Sequence, residues 1–193
     1  MTQSDEELIA AYQRGDAKAL TMLFDHYKKP ILNYALRIVG NRADAEDVTS
    51  DVFIAVMTKK ETYQPKAKFS TWLFTIARNF CISKLRKKKN IFSLWMQGSD
   101  SGEYELLDVP DTEPRADHRL KEKEMTAHVK KAIEKLPETQ REALVLREYQ
   151  NLSYEEISQI LNCSLENVKV LIFRARERLR QELASFMMEG NND

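Results

Sequence analysis

Apolar residues recur every three or four positions along most of the chain, and no segment alternates apolar and polar residues as a half-buried strand would. Four such periodic segments fill the first ninety positions: up to about Gln13, from Asp16 to Gly40, and over about 44–59 and 70–89. Pro30 falls inside the second segment, where we expect it to kink or restart the helix. The pattern predicts an all-helical N-terminal domain.

Helical periodicity stops between positions 90 and 117 and returns from His118 to Met188. Gly and Pro appear in the interruption, together with seven acidic residues: Asp100, Glu103, Glu105, Asp108, Asp111, Glu113 and Asp117. Breaks at Leu136-Pro137 and Asn162-Cys163 divide the second half into three or four helices. The expected fold class is therefore all-α, with a domain over residues 1–89, a flexible acidic linker over 90–117 and a second domain over 118–193.

The last two helices have the spacing of a helix-turn-helix. Ser153 with Glu156 forms a capping-box pattern before the first helix, and Ser164 suits the N-cap of the second. The outer face of the second helix would then present Glu166, Lys169, Val170, Phe173 and Arg176, flanked by Arg174 and Arg178. Cations can contact guanine edges or phosphates, and an aromatic ring can pack on a thymine methyl group. The alternative is that Phe173 packs on another helix or on a partner protein.

The fourth helix ends in a basic run, Arg86, Lys87, Lys88 and Lys89. Trp72 and Asn79 lie on the same stripe as Arg86, beside the apolar stripe. Cations next to an aromatic ring and an amide are typical of surfaces that bind a DNA backbone and unstacked bases. A purely structural reading is equally open: the cations would complement the helix dipole, and Trp72 would lie in the core.

The third helix places Asp44, Asp47 and Asp51 in one arc, while Phe53 is expected to protrude on another side. Carboxylates near a helix start often serve only the helix dipole. They could also form a docking surface for a basic partner. A metal site is disfavoured, because this segment has no His and no pocket-forming context.

Overall charge and cysteine content exclude few classes of protein. The chain has 30 Lys and Arg against 30 Asp and Glu, so only the distribution of charge can favour nucleic acid. Two distant cysteines, Cys81 and Cys163, suit reduced thiols better than a disulfide or zinc site. The polar N-terminus is no signal peptide, and no apolar run is long enough for a membrane span, so we expect a cytoplasmic protein without membrane insertion.

Four segments taken in order resemble the extracytoplasmic-function (ECF) sigma factors of bacteria: DAEDVTSDVF, KFSTWLFTIARNFCISKLRKK, LPETQREALVLREYQNLSYEEISQIL and ENVKVLIFRARERLR. The resemblance covers about residues 5 to 185. It implies a non-enzymatic initiation factor without a cofactor, which binds core RNA polymerase through the β′ clamp helices and the β flap. It also implies promoter DNA as a ligand and usually an anti-sigma factor as a partner.

The resemblance also implies roles for individual residues. The polymerase-binding segment would contain Asp44, Asp47, Asp51 and Phe53. The surface that melts the minus-10 element would contain Phe69, Trp72, Asn79, Arg86, Lys87 and Lys88, with loop 63–68 at the pocket for a flipped base. The minus-35 element would be read by Lys169, Val170, Phe173, Arg174 and Arg176. Family members often have a small polar residue where Val170 stands, which leaves the base preference at that contact open.

The length of the linker is compatible with this assignment. Its 28 or so residues can extend to about 90 Å, whereas two turns of duplex span about 70 Å. In the family this segment threads the RNA exit channel of the polymerase, which is positively charged and suits an acidic linker.

Two other functions compete with this hypothesis. A conventional helix-turn-helix regulator would bind duplex DNA without polymerase, usually as a dimer, but would leave the acidic third helix and the Trp72 region unexplained. A metal-dependent nuclease would use Asp44, Asp47 and Asp51 as ligands, and is the weakest of the three.

Overall fold

The structure is a computed structural model that describes residues 3–64, 67–96 and 117–189, with side chains described for 3–64, 67–90 and 125–184. Within these ranges it contains α-helices and one short 3-10 turn, Lys60–Thr62, and no strand. The helices are α1 (Asp5–Gln13), α2 (Ala17–Val39), α3 (Arg42–Lys59), α4 (Phe69–Met96), α5 (Asp117–Glu134), α6 (Glu138–Glu148), α7 (Tyr154–Leu161) and α8 (Leu165–Glu189). The prediction of an all-α fold is confirmed.

Local signals set most helix ends where the sequence predicts them. Ser4 and Glu7 form a reciprocal capping box at α1, and Gly40 ends α2 at a φ of 84°, which favours glycine. Two boundaries differ from expectation. Helix α2 continues through Pro30 instead of restarting there, and α4 continues past Lys89 to Met96. The remainder of the acidic segment, 97–116, lies outside the described residues.

The N-terminal module is built on the packing of α2, α3 and α4. Leu73, Ala77 and Cys81 of α4 are fully buried, one turn apart, against the buried faces of α2 and α3. Tyr34 of α2 meets Phe74 of α4 edge to face, with ring centroids 5.5 Å apart. This arrangement fixes which side of α4 faces outward.

Phe53 belongs to this interior, so the prediction that it protrudes is wrong. The side chain is only 6% exposed, and its ring centroid lies 4.6 Å from that of Phe24 on α2. Helix α3 carries apolar residues on more than one side, and α2 covers the side that holds Phe53. Phe53 therefore supports α3 from within and is not itself a docking surface.

Asp44 ties the start of α3 to the middle of α4. Its carboxylate accepts hydrogen bonds from the Asn41 amide at 2.6 Å and from Lys84 Nζ at 3.0 Å, and lies 3.2 Å from Lys88 Nζ. The Asn41 bond first, and then the two lysines, lower the pKa of Asp44 from 3.8 to about 2, against an opposing effect of burial. Asp44 is thus a structural contact between α3 and α4.

The C-terminal module contains the predicted helix-turn-helix. Ser153 and Glu156 form a capping box at α7, with bonds of 2.7 and 3.2 Å, and Ser164 Oγ accepts from the Asn167 amide at 3.2 Å at the start of α8. Between the helices the chain turns at Asn162, whose φ is 52°. The buried faces of α7 and α8 carry Ile157, Ile160, Val168, Ile172 and Ala175.

The two modules contact each other. Helix α7 packs on α4, and α6 and α5 pack on α2. The Arg37 guanidinium of α2 lies 3.7 Å from the ring centroid of Tyr149, just after α6. The described part of the chain therefore forms a closed arrangement of the two modules.

The contacts of Asp44 predict a stability effect that depends on pH. Because its pKa is lowered in the folded state, ionised Asp44 stabilises the fold above its ordinary pKa, and this contribution is lost as the pH falls toward 2. We expect Asp44→Asn to lower the free energy of unfolding by about 2 kcal/mol at pH 7, by about 1 kcal/mol at pH 3 and by only a few tenths of a kcal/mol at pH 2. Urea unfolding at several pH values measures this difference.

Asp51→Asn is the matched control, since Asp51 lies on the same helix and its replacement should change stability by less than about 0.5 kcal/mol. An Asp44→Asn effect that is constant across this pH range would contradict the assignment.

Candidate nucleic-acid and polymerase interfaces

The outer face of α8 presents an exposed aromatic ring among cations. Phe173 is 68% exposed and Val170 is 42% exposed, and the side chains of Lys169 and Arg174 are exposed beside them. The burial of Ile172 and Ala175 against α6 and α7 forces this orientation, because neighbouring positions on a helix point about 100° apart. Within the described residues no other helix covers Phe173, which removes the intramolecular alternative.

Arg176 is oriented by the same module. Its Nη2 and Nε donate to Glu148 Oε1 at the end of α6, at 2.5 and 3.1 Å. The side chain nevertheless stays 53% exposed. Its guanidinium is thus held at the edge of the face formed by Lys169, Val170, Phe173 and Arg174. We call these four residues, together with Arg176, the upstream face.

The aromatic cluster at the start of α4 differs from the prediction in one respect. Phe69 is 1% exposed, and its ring lies 5.5 to 5.8 Å from those of Tyr27, Tyr63 and Trp72. Its backbone N–H donates to Glu6 Oε1 at 3.1 Å. Phe69 was predicted to be part of the surface that melts the minus-10 element, but its ring is buried at the centre of the cluster, where it supports its neighbours.

Trp72 is the member of this cluster that reaches toward the surface, and it is half-buried. Tyr63 supports it at a ring distance of 5.5 Å, and the Tyr63 hydroxyl donates to the Ala67 carbonyl at 2.9 Å, which closes the loop before α4. Residues 65 and 66 of that loop lie outside the described ranges.

Farther along α4, the outward stripe continues with exposed Asn79, Arg86 and Lys87. Lys88 is also exposed, but its ammonium group pairs with Asp44 at 3.2 Å. The basic run is therefore divided between a surface that DNA could reach and a contact inside the module.

The acidic arc of α3 is divided in the same way. Asp47 has a side chain that is 65% exposed and lies 2.8 Å from Lys84 Nζ, whereas Asp44 is held by α4 and Asp51 is half-buried. The sequence reasoning missed three exposed apolar side chains: Met22 on α2 and Ile54 and Met57 on α3. The signal was present, since Ile54 and Met57 lie off the buried Val48-Val52-Val56 stripe.

The structure gives no support to the nuclease hypothesis. Among the described residues, no three His, Cys, Asp or Glu side chains are placed to hold a metal ion. No helix in the described ranges is both long and apolar enough to span a membrane.

Comparison with known proteins agrees with this architecture. Residues 23–91 match the family model of sigma-70 region 2, and residues 128–179 match that of sigma-70 region 4. The chain is 33% identical to the ECF RNA polymerase sigma factor SigW of Bacillus subtilis, over 91% of this chain and 94% of that protein. It is 30% identical to the RNA polymerase sigma-H factor of Pseudomonas aeruginosa, over 97% and 98% of the two chains.

Solved structures show the same fold. The sigma factor RpoE from Bartonella quintana, in complex with the anti-sigma factor NepR, aligns with a TM-score of 0.70 and 25% identity over 87% of this chain and 98% of that one. CnrH, in complex with the cytosolic domain of CnrY, aligns with a TM-score of 0.70 over 95% of this chain and 99% of that one, and at 24% identity it supports the fold alone. Both sigma regions are matched in order, and the relatives that match almost the full length are at least 30% identical. The chain therefore belongs to the ECF sigma factors: it is a non-enzymatic, alternative sigma factor that binds core RNA polymerase and directs transcription initiation at promoter DNA.

Proposed function

We propose that α8 reads the minus-35 element of the promoter as duplex DNA, through Lys169, Val170, Phe173, Arg174 and Arg176. The observation that carries this proposal is the 68% exposure of Phe173 among cations, on the second helix of a helix-turn-helix. Exposed Phe173 and Val170 form an apolar patch surrounded by cations, and exposed apolar patches with a polar rim are typical of interaction sites. In the major groove the ring would pack on a thymine methyl group, while the cations would contact phosphates or guanine edges. Val170, being apolar, adds a second such contact and no hydrogen bond.

We further propose that the outward stripe of α4 binds the minus-10 element. Trp72 and Asn79 would hold a base that has left the stack, while Arg86, Lys87 and Lys88 would follow the phosphates. Phe69 and Tyr63 hold the Trp72 ring in place from beneath. Unstacking a base costs a few kcal/mol, and stacking on an aromatic ring returns about 1–3 kcal/mol.

The polymerase contact is proposed for the acidic arc of α3. Asp47 is the exposed carboxylate of the three and would meet the β′ clamp helices, with Asp44 and Asp51 beside it. Exposed Ile54 and Met57 would add apolar area to the same contact, whereas Phe53 acts only by supporting α3. The C-terminal module would meet the β flap.

The setting follows from the partners. We expect the protein to act in the cytoplasm, where core polymerase and promoter DNA are found. An anti-sigma factor is a further expected partner, since the structurally similar RpoE from Bartonella quintana was solved with one. Residues 90–117 would connect the modules along the polymerase.

The upstream face predicts a promoter-specific defect. We expect Phe173→Ala to reduce transcription from a promoter that depends on its minus-35 element by about tenfold, which corresponds to about 1.4 kcal/mol, without changing affinity for core polymerase. In vitro transcription and a core-binding titration measure the two effects. Met125→Ala, which shortens another exposed apolar side chain, should change neither. Equal losses in both assays would count against the groove assignment.

The acidic arc predicts the reverse pattern. We expect Asp47→Arg to weaken binding to core polymerase at least tenfold, while stability stays within about 0.5 kcal/mol, since an exposed ion pair contributes little to folding. Glu46→Arg makes the same charge change one position away, at a point about 100° around the helix. Comparable losses for both variants would show that general charge, rather than this arc, governs polymerase binding.

A further inference from the structure

Three glutamates of the C-terminal module pair with three cations along α4 in the closed arrangement. Glu156 of α7 lies 3.1 Å from Lys68, Glu142 of α6 lies 3.1 Å from Arg78, and Glu138 of α6 lies 2.6 Å from Lys89. At 1.5 Å per residue, positions 68 and 89 are about 30 Å apart along the helix. The C-terminal module thus presents a row of carboxylates to a row of cations.

These cations border the stripe that is proposed to bind the minus-10 strand. At about 100° per residue, Arg78 and Lys89 lie about 60–100° around α4 from Asn79 and Arg86. Lys68 immediately precedes the aromatic cluster. DNA that followed the stripe would bring its phosphates toward the same three cations, and so to the positions that the glutamate carboxylates occupy.

The central pair differs from the outer two in its burial. The side chain of Glu142 is 5% exposed and that of Arg78 is 20% exposed, whereas Lys68 and Lys89 are largely open to solvent. Burial raises the pKa of Glu142, and Arg78 opposes this effect. A buried carboxylate needs its partner, so separating the modules requires water or another cation to replace Arg78. The side chain of Glu156 is 13% exposed and that of Glu138 is 55% exposed. Ion pairs with solvent-exposed lysines contribute little to stability, but they still neutralise Lys68 and Lys89.

The closed arrangement cannot coexist with promoter recognition by both modules. Two turns of duplex separate the minus-35 and minus-10 elements by about 70 Å. In the closed arrangement, however, α7 packs directly on α4, and α8 packs on α7. The contacts of α4 with α6 and α7 must therefore break before the protein can occupy a promoter.

We propose that Glu138, Glu142 and Glu156 act as an internal substitute for promoter phosphates. By binding the three cations along α4, they keep the free protein closed and its affinity for DNA low. This inference rests on the proposed role of α4 in binding the minus-10 strand. Core polymerase, by holding the modules apart, exposes the three cations to the promoter.

The test compares two triple variants of the full chain that change the net charge equally. The first, E138Q/E142Q/E156Q, removes the three paired carboxylates, and glutamine at 156 still suits the capping box with Ser153. The control, E134Q/E155Q/E182Q, alters three exposed glutamates of the same module, and Glu182 pairs with Lys135 of that module and not with α4. Binding of free protein to a fluorescein-labelled (dT)20 strand is measured at several salt concentrations, and small-angle scattering gives the radius of gyration.

We expect the first variant to bind (dT)20 at least fivefold more tightly than the control, with a salt dependence steeper by about 2 log–log units for three released cations. Its radius of gyration should also increase. If the triple variant fails to fold, as judged by circular dichroism, E138Q/E156Q leaves buried Glu142 in place and should show a smaller gain in the same direction.

Equal affinity for the two triple variants would overturn the proposal, since net charge alone would then explain any gain. Expansion without a gain in DNA binding would also overturn it, and would count in addition against α4 as a DNA surface. Loss of transcription by holoenzyme carrying a Trp72→Ala variant tests that surface separately from the glutamates.

Discussion

The packing of α4 against α2 and α3 is the interaction on which the rest of the structure depends. Leu73, Ala77 and Cys81 are fully buried at intervals of four residues, and this burial fixes the direction of every other side chain on the helix. Trp72, Asn79 and Arg86 must then face outward, and Arg78 must face the C-terminal module. The bonds from Lys84 and Lys88 to Asp44 hold α3 and α4 in a fixed register. The acidic arc of α3 and the outward stripe of α4, to which polymerase and DNA binding are assigned as a proposal, thus keep a constant spatial relation.

Charge is the second organising feature, because the chain has no net charge with which to attract DNA. Its cations are distributed so that several are held by carboxylates in the closed arrangement, within the N-terminal module at Asp44 and between modules at Glu142. Affinity for DNA can then depend on the arrangement of the modules rather than on composition. The proposed role of the three glutamates would thus tie promoter affinity to the presence of polymerase.

Much of the fold could be predicted from the sequence because it is governed by local signals. Apolar periodicity gave the helices, and serine with glutamate three residues later located the starts of α1 and α7. Phe173 could be predicted to face outward because α8 has one clear buried stripe. Phe53 could not be placed in the same way, since α3 is apolar on more than one side, and only the position of Phe24 on α2 decides which side is covered.

The contacts between modules were beyond the reach of local patterns. Arg78 and Glu142 are 64 positions apart, and neither carries a sequence signal that distinguishes it from other charged residues on an exposed helix face. Phe69 was misjudged for a related reason: its burial depends on Tyr27 and Tyr63, which come from two other segments of the chain. The extension of α4 to Met96 was missed because its last two turns are apolar at five of seven positions and therefore show no contrast between an apolar and a polar face.

The central claim is that one module binds polymerase while the other presents Phe173 to duplex DNA, and photo-crosslinking from position 173 tests it most directly. A p-benzoylphenylalanine introduced there is irradiated with labelled promoter DNA, with and without core polymerase. The account predicts one crosslink, to the upstream duplex, that requires core polymerase. A crosslink to a polymerase subunit, or an equally strong DNA crosslink without polymerase, would contradict it.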